Sequence, residues 1–511
     1  MRSTASWLVA MVLAMLLGGC AGVPTAPSDC EGRPFDPQLH AIYINQFGEL
    51  KLPNVADPAP SQAQDDSLTQ KEDAYAARII DHFKELRAGR PQLRLTIFVH
   101  GGLNTFDTAW KRAAQFSCDM LRDGQYAVFI GWNSGAFTNY FDHLFRIRAG
   151  EYNPRRAVPT SPIVVIGDLA RSIVNIPEAW YRTVADPATV STWYTNHVEV
   201  EVARRIGNLE RAGFRVSNQG PYRGVAGSYW TILNPVKLLT APAVDGLGSG
   251  SWDSMLRRTD LVLSKPIAYE GRLPKQDAPV AAPTPPGVVP AVQKEAKEMV
   301  DTAVTRFLKE WLNDGTLADV PISLIGHSMG AIVANNILAR HPALNFDNVV
   351  FMGAAARIKD IENGVVPWMR RPDRAGARFY NLSLDPYREI SENEFYDFVP
   401  RGSLLHWIDN IFGEVNSFKD RTAGGWWNIV RTAADVFPES VRQRVYLTRF
   451  PIGASDKGPQ EHGDFDSYCF WRPAYWTAGT PLLAHPACAA TLRTPGADPA
   501  PRSVPAVATA P

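Results

Sequence analysis

The residues best suited to do chemistry form the sequence Gly326-His327-Ser328-Met329-Gly330, a G-x-S-x-G motif. It follows an apolar segment, Ile322 to Ile325, and precedes a run of small residues that begins at Ala331. This context predicts a strand, a sharp turn and a helix, in which the flanking glycines let neighbouring backbone approach the serine closely. The N-terminus of such a helix also attracts negative charge that develops on a bound molecule. We therefore predict that Ser328 is a nucleophile.

Two polar loops farther along the chain supply the groups that a serine nucleophile needs. Asp385 follows the strand predicted over Arg378 to Leu384, and His462 lies in the loop after the strand predicted over Arg444 to Arg449. A neutral imidazole takes the serine proton and later returns it to the leaving group, while a carboxylate orients the imidazole. We predict Asp385 as the acid and His462 as the base. The alternatives are Asp360 for the acid, and His406 or His485 for the base.

These residues resemble the motifs of the α/β-hydrolase family, with GHSMG of the lipase-like type, and the resemblance covers residues 93–132 and 290–470. In that family the chain order is nucleophile, acid, histidine, and Ser328, Asp385 and His462 follow it. The resemblance implies a mostly parallel sheet flanked by helices and acyl transfer without a metal or an organic cofactor.

The resemblance also implies an oxyanion hole, which in this family includes an N–H from the loop after an earlier strand. Here the strand predicted over Leu93 to Val99 leads into His100-Gly101-Gly102-Leu103-Asn104. The resemblance assigns the first donor to Gly102, with Leu103 as the alternative, and the second to the N–H of Met329. His100 precedes the nucleophile in the chain, so we predict a structural hydrogen-bonding role for it.

The elements around these residues alternate between helix and strand, which is typical of an α/β fold with a mostly parallel central sheet. Beyond the strands already named, the pattern predicts a hairpin and two more strands, over Ala41 to Leu52, Tyr126 to Trp132 and Val349 to Met352. It predicts helices over Ser67 to Leu86, Asp107 to Leu121, Pro290 to the residue before Gly315, and Ala331 to Leu338.

The chain is predicted to divide into six segments. They are a lipoprotein signal peptide (1–19), a tether (20–38), the N-terminal part of a hydrolase domain (39–132), an insertion or cap with a Pro-rich loop (133–289), the C-terminal part with the triad (290–493) and a disordered tail (494–511). The insertion carries apolar residues such as Ile163 to Ile166, Ile173 and Trp180. We predict that they form a lid or an acyl-binding wall, or alternatively the insertion's own core.

The N-terminus has a charged start at Arg2 and an apolar run from Trp7 to Leu17, which is typical of a secretory signal. Leu17-Gly18-Gly19-Cys20 resembles the lipobox of bacterial lipoproteins. The resemblance implies cleavage before Cys20 and lipidation of that cysteine, hence a membrane tether. Ala21, where inner-membrane retention signals usually place Asp, favours the outer membrane; an ordinary signal peptide is the alternative.

Composition and charge limit the classes of partner. Lys and Arg together number 52, as do Asp and Glu, so the net charge of zero gives no general attraction to nucleic acid. No cysteine or histidine spacing is typical of zinc. In an oxidising compartment, the cysteines beyond Cys20 predict two disulfides with Cys469–Cys488 as the favoured pair, or else buried free thiols. These cysteines are Cys30, Cys118, Cys469 and Cys488.

Together these features predict a membrane-tethered serine hydrolase that cleaves carboxylic esters, with acyl esters, lipids or phospholipids as the substrate class. An amidase or peptidase with the same triad is the first alternative, because a fold does not fix a function. A non-catalytic outer-membrane lipoprotein that serves as a binding or assembly module is the second.

Overall fold

A computed structural model describes residues 36–53, 66–102, 104–148, 151–181, 192–218, 220, 235–266, 299–393, 398–413, 415–453 and 458–477. The predicted signal peptide, Cys20 and the predicted tail lie outside these residues. The whole predicted Pro-rich loop (278–290) lies outside them too, as do four residues named above, Cys30, Leu103, His485 and Cys488.

An eight-stranded sheet forms the centre of the described part of the chain. Its order is β1-β3-β2-β9-β10-β11-β12-β6, and every neighbouring pair in it is parallel. Two short antiparallel ribbons, β4 with β5 and β7 with β8, lie apart from it. The strands are β1 (Ala41–Ile44), β2 (Arg94–Val99), β3 (Gln125–Trp132), β4 (Ile147–Arg148), β5 (Glu151–Tyr152), β6 (Arg215–Asn218), β7 (Ser264–Pro266), β8 (Met299–Asp301), β9 (Ile322–His327), β10 (Phe346–Met352), β11 (Arg378–Ser383) and β12 (Val445–Arg449).

Helices cover both faces of the sheet. They are α1 (Asp66–Gly89), α2 (Phe106–Arg122), α3 (Ala136–Phe145), α4 (Pro154–Val174), α5 (Thr192–Arg211), α6 (Pro235–Leu261), α7 (Ala303–Asn313), α8 (Gly330–Arg340), α9 (Ile358–Asn363), α10 (Val365–Met369), α11 (Pro386–Ser391), α12 (Leu404–Trp407), α13 (Trp426–Val436), α14 (Glu439–Arg442) and α15 (Pro473–Thr477). Because both faces are covered, the central strands β3 and β9 are buried along their whole length and consist of nearly continuous apolar residues.

Two apolar cores lie on opposite faces of the sheet. The larger core holds Ile97 of β2 and Leu324 of β9, together with α1, α7, α8 and α13. The smaller core holds Phe98 and Ile325, the neighbours of those residues in sequence, together with α2 and the segment around Phe470. Successive strand residues therefore supply alternate cores, as the two-residue period of a strand requires. The predicted α/β fold with a mostly parallel sheet is confirmed at this level.

One predicted helix begins later in the structure than its pattern indicates. The apolar spacing predicts a helix from Pro290, but α7 begins at Ala303 and Val300 lies in strand β8. Residues 290–298 lie outside the described part. The prediction is wrong over Met299–Asp301 because this segment pairs with β7, a partner that the local pattern does not reveal.

The predicted insertion contributes to the central sheet as well as to its surroundings. Its strand β6 pairs with β12 at the edge of the sheet, and Phe214 just before it is buried in the larger core. Helix α6 of the same segment places Met255 and Trp252 in that core. Arg258 of α6 forms a buried ion pair with Asp142 of α3 at 2.5 Å. The described part of the insertion is thus packed against the rest of the fold.

Candidate active site

Ser328 occupies the turn between β9 and α8 with a strained backbone. Its φ angle is +52°, the left-handed region that a residue with a side chain rarely adopts. Two backbone hydrogen bonds hold it: its N–H donates to Met352 O at 2.8 Å, and the N–H of Ala355 donates to Ser328 O at 2.9 Å. Strand β10 and the segment after it therefore fix the predicted sharp turn.

The flanking glycines are required by close approach of backbone. A methyl group on Gly330 would lie 2.1 Å from Val99 O, at the end of β2. One on Gly326 would lie 2.8 Å from the backbone of Ala331. The turn is thus packed directly against its own helix and against the strand that carries the His-Gly loop.

In the structure, the side chain of His462 contacts that of Ser328. His462 Nε2 lies 2.8 Å from Ser328 Oγ, within hydrogen-bonding distance, although 134 residues separate the two in the chain. Both are buried: Ser328 is 2% exposed and His462 is 7% exposed. The backbone N–H of His462 donates to Glu392 Oε2 at 2.8 Å. This contact anchors the 3₁₀ helix His462–Ser467 that carries the imidazole.

Burial keeps the His462 imidazole neutral. Burial, with a smaller contribution from the nearby His327, lowers the pKa of His462 to about 3, while Asp466 acts in the opposite direction. A neutral Nε2 facing the serine hydroxyl is the state that a general base needs before proton transfer. The pair Ser328 and His462 therefore has the geometry and the protonation state for nucleophilic catalysis.

Asp385 lies at the end of β11, but its described contacts are with Arg449. Its carboxylate forms a fully buried ion pair with that guanidinium and accepts from the N–H of Tyr387 at 2.8 Å, as the N-cap of α11. Burial raises the pKa of Asp385, and Arg449 opposes the shift. Among the described residues His462 Nδ1 has no hydrogen-bond partner. The structure thus joins two members of the predicted triad by a hydrogen bond, while Asp385 as the acid stays a prediction.

Arg449 also connects this acid to the insertion. Its Nε donates to Asn218 Oδ1 and a terminal nitrogen donates to Gly220 O, both at 2.5 Å. Asn218 is the last residue of β6, so the edge strand of the insertion helps to position the Arg449–Asp385 pair.

Asp466 is a second carboxylate near His462, and the sequence analysis did not single it out. Arg112 lies 2.9 Å from its Oδ2 and His327 Nδ1 lies 3.3 Å from the same oxygen. Burial alone would raise the pKa of Asp466, but Arg112 and His327 outweigh burial and the pKa is lowered. His327 Nε2 in turn lies 3.0 Å from His462 O. Asp466 therefore supports the base through His327 and the backbone.

If Asp385 is the acid of a serine hydrolase, Asp385→Asn is expected to lower kcat for an ester by about 10³-fold or more, because its neutral amide would not stabilise an imidazolium on His462. Asp466→Asn is expected to cost less, because Asp466 reaches His462 through His327. Steady-state kinetics on both purified variants give the comparison. The opposite order of losses would make Asp466 the acid.

A third variant separates catalysis from the ion pair. Asp385→Asn leaves the Arg449 charge buried without its partner, which alone destabilises a fold. The double variant Asp385→Asn/Arg449→Gln removes both charges. Activity that returns in the double variant would mean that the single variant failed through its unpaired arginine and not through a lost acid.

The predicted oxyanion loop lies against the nucleophile. A methyl group on Gly101 would lie 2.9 Å from Ser328 Cβ, and one on Gly102 would lie 2.8 Å from Met329 Sδ and 3.1 Å from Met255 Cε. Met255 belongs to α6, so the insertion reaches this loop. Ser328 Cβ cannot easily move away, so the approach at Gly101 requires a glycine, whereas the methionine ends beside Gly102 are flexible. The N–H groups of Ala331 and Ile332 in α8 donate to Ser328 O and Met329 O at 3.1 and 3.0 Å.

His100 has a structural role in this loop. The N–H of Trp132 donates to His100 Nε2 at 2.8 Å, and His100 Nδ1 contacts Gly101 O. Burial lowers the pKa of His100 to about 3. Asn104 Nδ2 donates to Gly101 O and Gly102 O at 3.0 and 3.2 Å. Contacts with His100 and Asn104 therefore hold the backbone of the loop in place.

The residues predicted as alternatives for the acid and the base make other contacts. Asp360 pairs with Arg357 on α9, and His406 Nδ1 contacts Asn410 Nδ2 beside α12. Cys118 and Cys469 each take part in a disulfide bond. The favoured pairing, Cys469–Cys488, extends outside the described residues and stays a prediction. In the part of the chain that the structure describes, no group of three His, Cys, Asp or Glu is arranged to hold a metal ion.

Comparisons of the chain with family models, with curated proteins and with solved structures find no match to any of them. The α/β architecture is compatible with the α/β-hydrolase fold. The geometry of Ser328 and its surroundings therefore carries the functional argument.

Proposed function

We propose that this chain is a serine hydrolase of the α/β-hydrolase type that cleaves carboxylic esters through an acyl-enzyme on Ser328. The observation that carries the proposal is the 2.8 Å contact between Ser328 Oγ and His462 Nε2 on a strained strand-to-helix turn. A serine hydroxyl is a weak nucleophile until a base takes its proton, and this contact places the base.

The proposed reaction has two steps. Ser328 Oγ attacks the ester carbonyl carbon while its proton moves to His462 Nε2, and the oxyanion is held by the N–H groups of Gly102 and Met329. The intermediate collapses, the alcohol leaves with the proton from His462, and the acyl group remains on Ser328. Water then attacks the acyl-enzyme with His462 again as base, which releases the carboxylic acid and restores the serine. Asp385 is the proposed acid that stabilises the protonated imidazole.

Lipids or other acyl esters are the proposed substrate class. Support comes from the predicted lipid anchor at Cys20 and from the apolar insertion, whose Met255 lies beside the oxyanion loop. The proposed location is the outer membrane of a bacterium, to which the acylated cysteine would hold the chain.

The test is covalent capture of the nucleophile. A fluorophosphonate probe is expected to phosphonylate Ser328, and mass spectrometry of the digested protein locates the adduct. Ser328→Ala should lose the adduct, whereas Ser323→Ala, a buried serine on β9, should keep it. Absence of an adduct in the folded parent chain contradicts the proposal. An adduct on Ser328 with turnover of amides but not of p-nitrophenyl esters points to an amidase.

The capture rate should also be insensitive to mild acid. With the pKa of His462 lowered to about 3, the base stays neutral at pH 5. An ordinary histidine near 6.5 would be mostly protonated there, which costs about 30-fold in rate between neutral pH and pH 5. We expect a change of less than about 3-fold over that range. A rate that titrates near pH 6.5 would show an exposed base and argue against the closed geometry.

A further inference from the structure

Helix α4 presents an uncharged apolar face to solvent. Between Val158 and Val174 the exposed residues are apolar or glycine, and Ile163, Ile166 and Ile173 are 70%, 65% and 59% exposed. These isoleucines recur at intervals of three and seven residues, so they share one side of the helix. Among the described residues α4 is the one helix long and apolar enough to cross a membrane, yet only 17% of its apolar window is buried. The described part of the protein leaves this face uncovered.

The opposite side of α4 is polar and attached to the fold. Asp168 accepts from the Tyr140 hydroxyl at 3.0 Å and lies 3.3 Å from His143 Nε2. Arg171 lies 3.7 Å from Asp245 of α6. A methyl group on Gly246 would lie 2.4 Å from Asp168 O, so α4 and α6 pack with their backbones close together. Beyond its first turn, helix α4 thus directs Asp168 and Arg171 toward the fold and its apolar residues toward solvent, the reverse of a helix that faces water.

The residues at the two ends of this face suit a bilayer surface. Arg155 and Arg156 are exposed at its N-terminal end, and Arg146 is 39% exposed nearby. Trp180 and Tyr181, 44% and 72% exposed, follow its C-terminal end. Arginines attract anionic headgroups, and tryptophan and tyrosine favour the boundary between lipid and water. Exposed Leu239 and Leu247 of α6 extend the apolar area beside α4.

We propose that this face, made by α4 and the exposed leucines of α6, binds the surface of an anionic phospholipid bilayer. A helix about 30 Å long at 1.5 Å per residue would lie in the interface with its apolar side toward the acyl chains. It does not cross the bilayer, because Asp168 and Arg171 would then enter hydrocarbon and lose their contacts with α3 and α6. The inference requires no catalysis, so its test is independent of the proposed hydrolase activity.

The experiment measures flotation with vesicles. The chain from Ala21 onward lacks the predicted anchor and keeps every contact described above. We expect it to float with vesicles of phosphatidylethanolamine and phosphatidylglycerol, and less with phosphatidylcholine alone. Ile163→Asn/Ile166→Asn/Ile173→Asn should weaken binding at least about tenfold, because three apolar side chains no longer enter the lipid. Arg155→Gln/Arg156→Gln should lose the preference for the anionic lipid.

A matched triple variant controls for surface polarity. Val200→Asn/Met299→Asn/Leu312→Asn changes three exposed apolar residues on α5, β8 and α7 and should float like the parent chain. Circular dichroism and thermal melting confirm that each variant is folded. The proposal is overturned if the parent chain stays in the soluble fraction. It is also overturned if both triple variants float equally well. The parent chain could also form a dimer in the absence of vesicles while the isoleucine variant stays monomeric. That result would assign the face to a second copy of the chain instead.

Discussion

Replacement of His462 by alanine is expected to lower kcat/KM for a short-chain p-nitrophenyl ester by about 10⁴-fold or more, and Ser328→Ala should fall to the same level. The reason is that the two side chains act as a unit through the contact of 2.8 Å between Nε2 and Oγ. The double variant should therefore lose no more than either single variant, which is the expected signature of one proton-transfer step.

His406→Ala serves as the control for these measurements. His406 lies on α12 and contacts Asn410. The control should keep activity within about 3-fold of the parent, because surface and half-buried changes away from a site rarely alter the chemical step. Additive losses of Ser328→Ala and His462→Ala would mean that the two side chains do not act as a unit. Ester turnover that survives Ser328→Ala would remove Ser328 from the mechanism.

Local sequence was sufficient to predict the elements that carry Ser328 and His462. The predicted strand, turn and helix around residue 328 correspond to β9 and α8, and the loop after the last predicted strand does hold the histidine that contacts the serine. This succeeded because parallel strands bring their carboxyl ends to one edge of the sheet, so successive strand-end loops converge there.

The supporting contacts could not be predicted in the same way. Asp466 meets Arg112 of α2, and Arg449 meets both Asp385 and Asn218, which is 231 residues away. Such pairs depend on the order of strands in the sheet, and β6 joins it at an edge that no periodicity signals. The short strand β6 has no fully buried residue, so it lacks the apolar pattern that made the central strands visible in the sequence.

The insertion illustrates a different limit of sequence patterns. Its apolar residues predicted a lid, an acyl-binding wall or a core, since periodicity shows that a face is apolar but not what covers it. In the structure Met255 faces the oxyanion loop, whereas Ile163, Ile166 and Ile173 face solvent. One segment therefore supplies both a residue beside the candidate site and the surface that we assign to the membrane.

Gly330→Ala is expected to destabilise the fold by about 3 kcal/mol or more and to abolish ester hydrolysis. Alanine at the start of a helix is ordinarily neutral or favourable, because it has the higher helix propensity. Here its methyl group would lie 2.1 Å from Val99 O and 2.6 Å from His100 O, and neither backbone carbonyl can move without displacing β2. Steric overlap therefore exceeds the gain in propensity. Urea unfolding followed by circular dichroism measures the loss.

Gly315→Ala and Gly376→Ala are the matched controls for this prediction. Both are exposed glycines with nothing within 4 Å of an added methyl group, so each should change the free energy of unfolding by less than about 1 kcal/mol. If Gly330→Ala were as stable as these controls, the close approach of α8 to the end of β2 would be wrong. The packing that places Gly101 against Ser328 would then be wrong with it, since the two contacts are made by the end of β2 and by the loop that follows it. A destabilised but active Gly330→Ala would instead mean that the oxyanion loop tolerates displacement, which would argue against Gly102 as a donor.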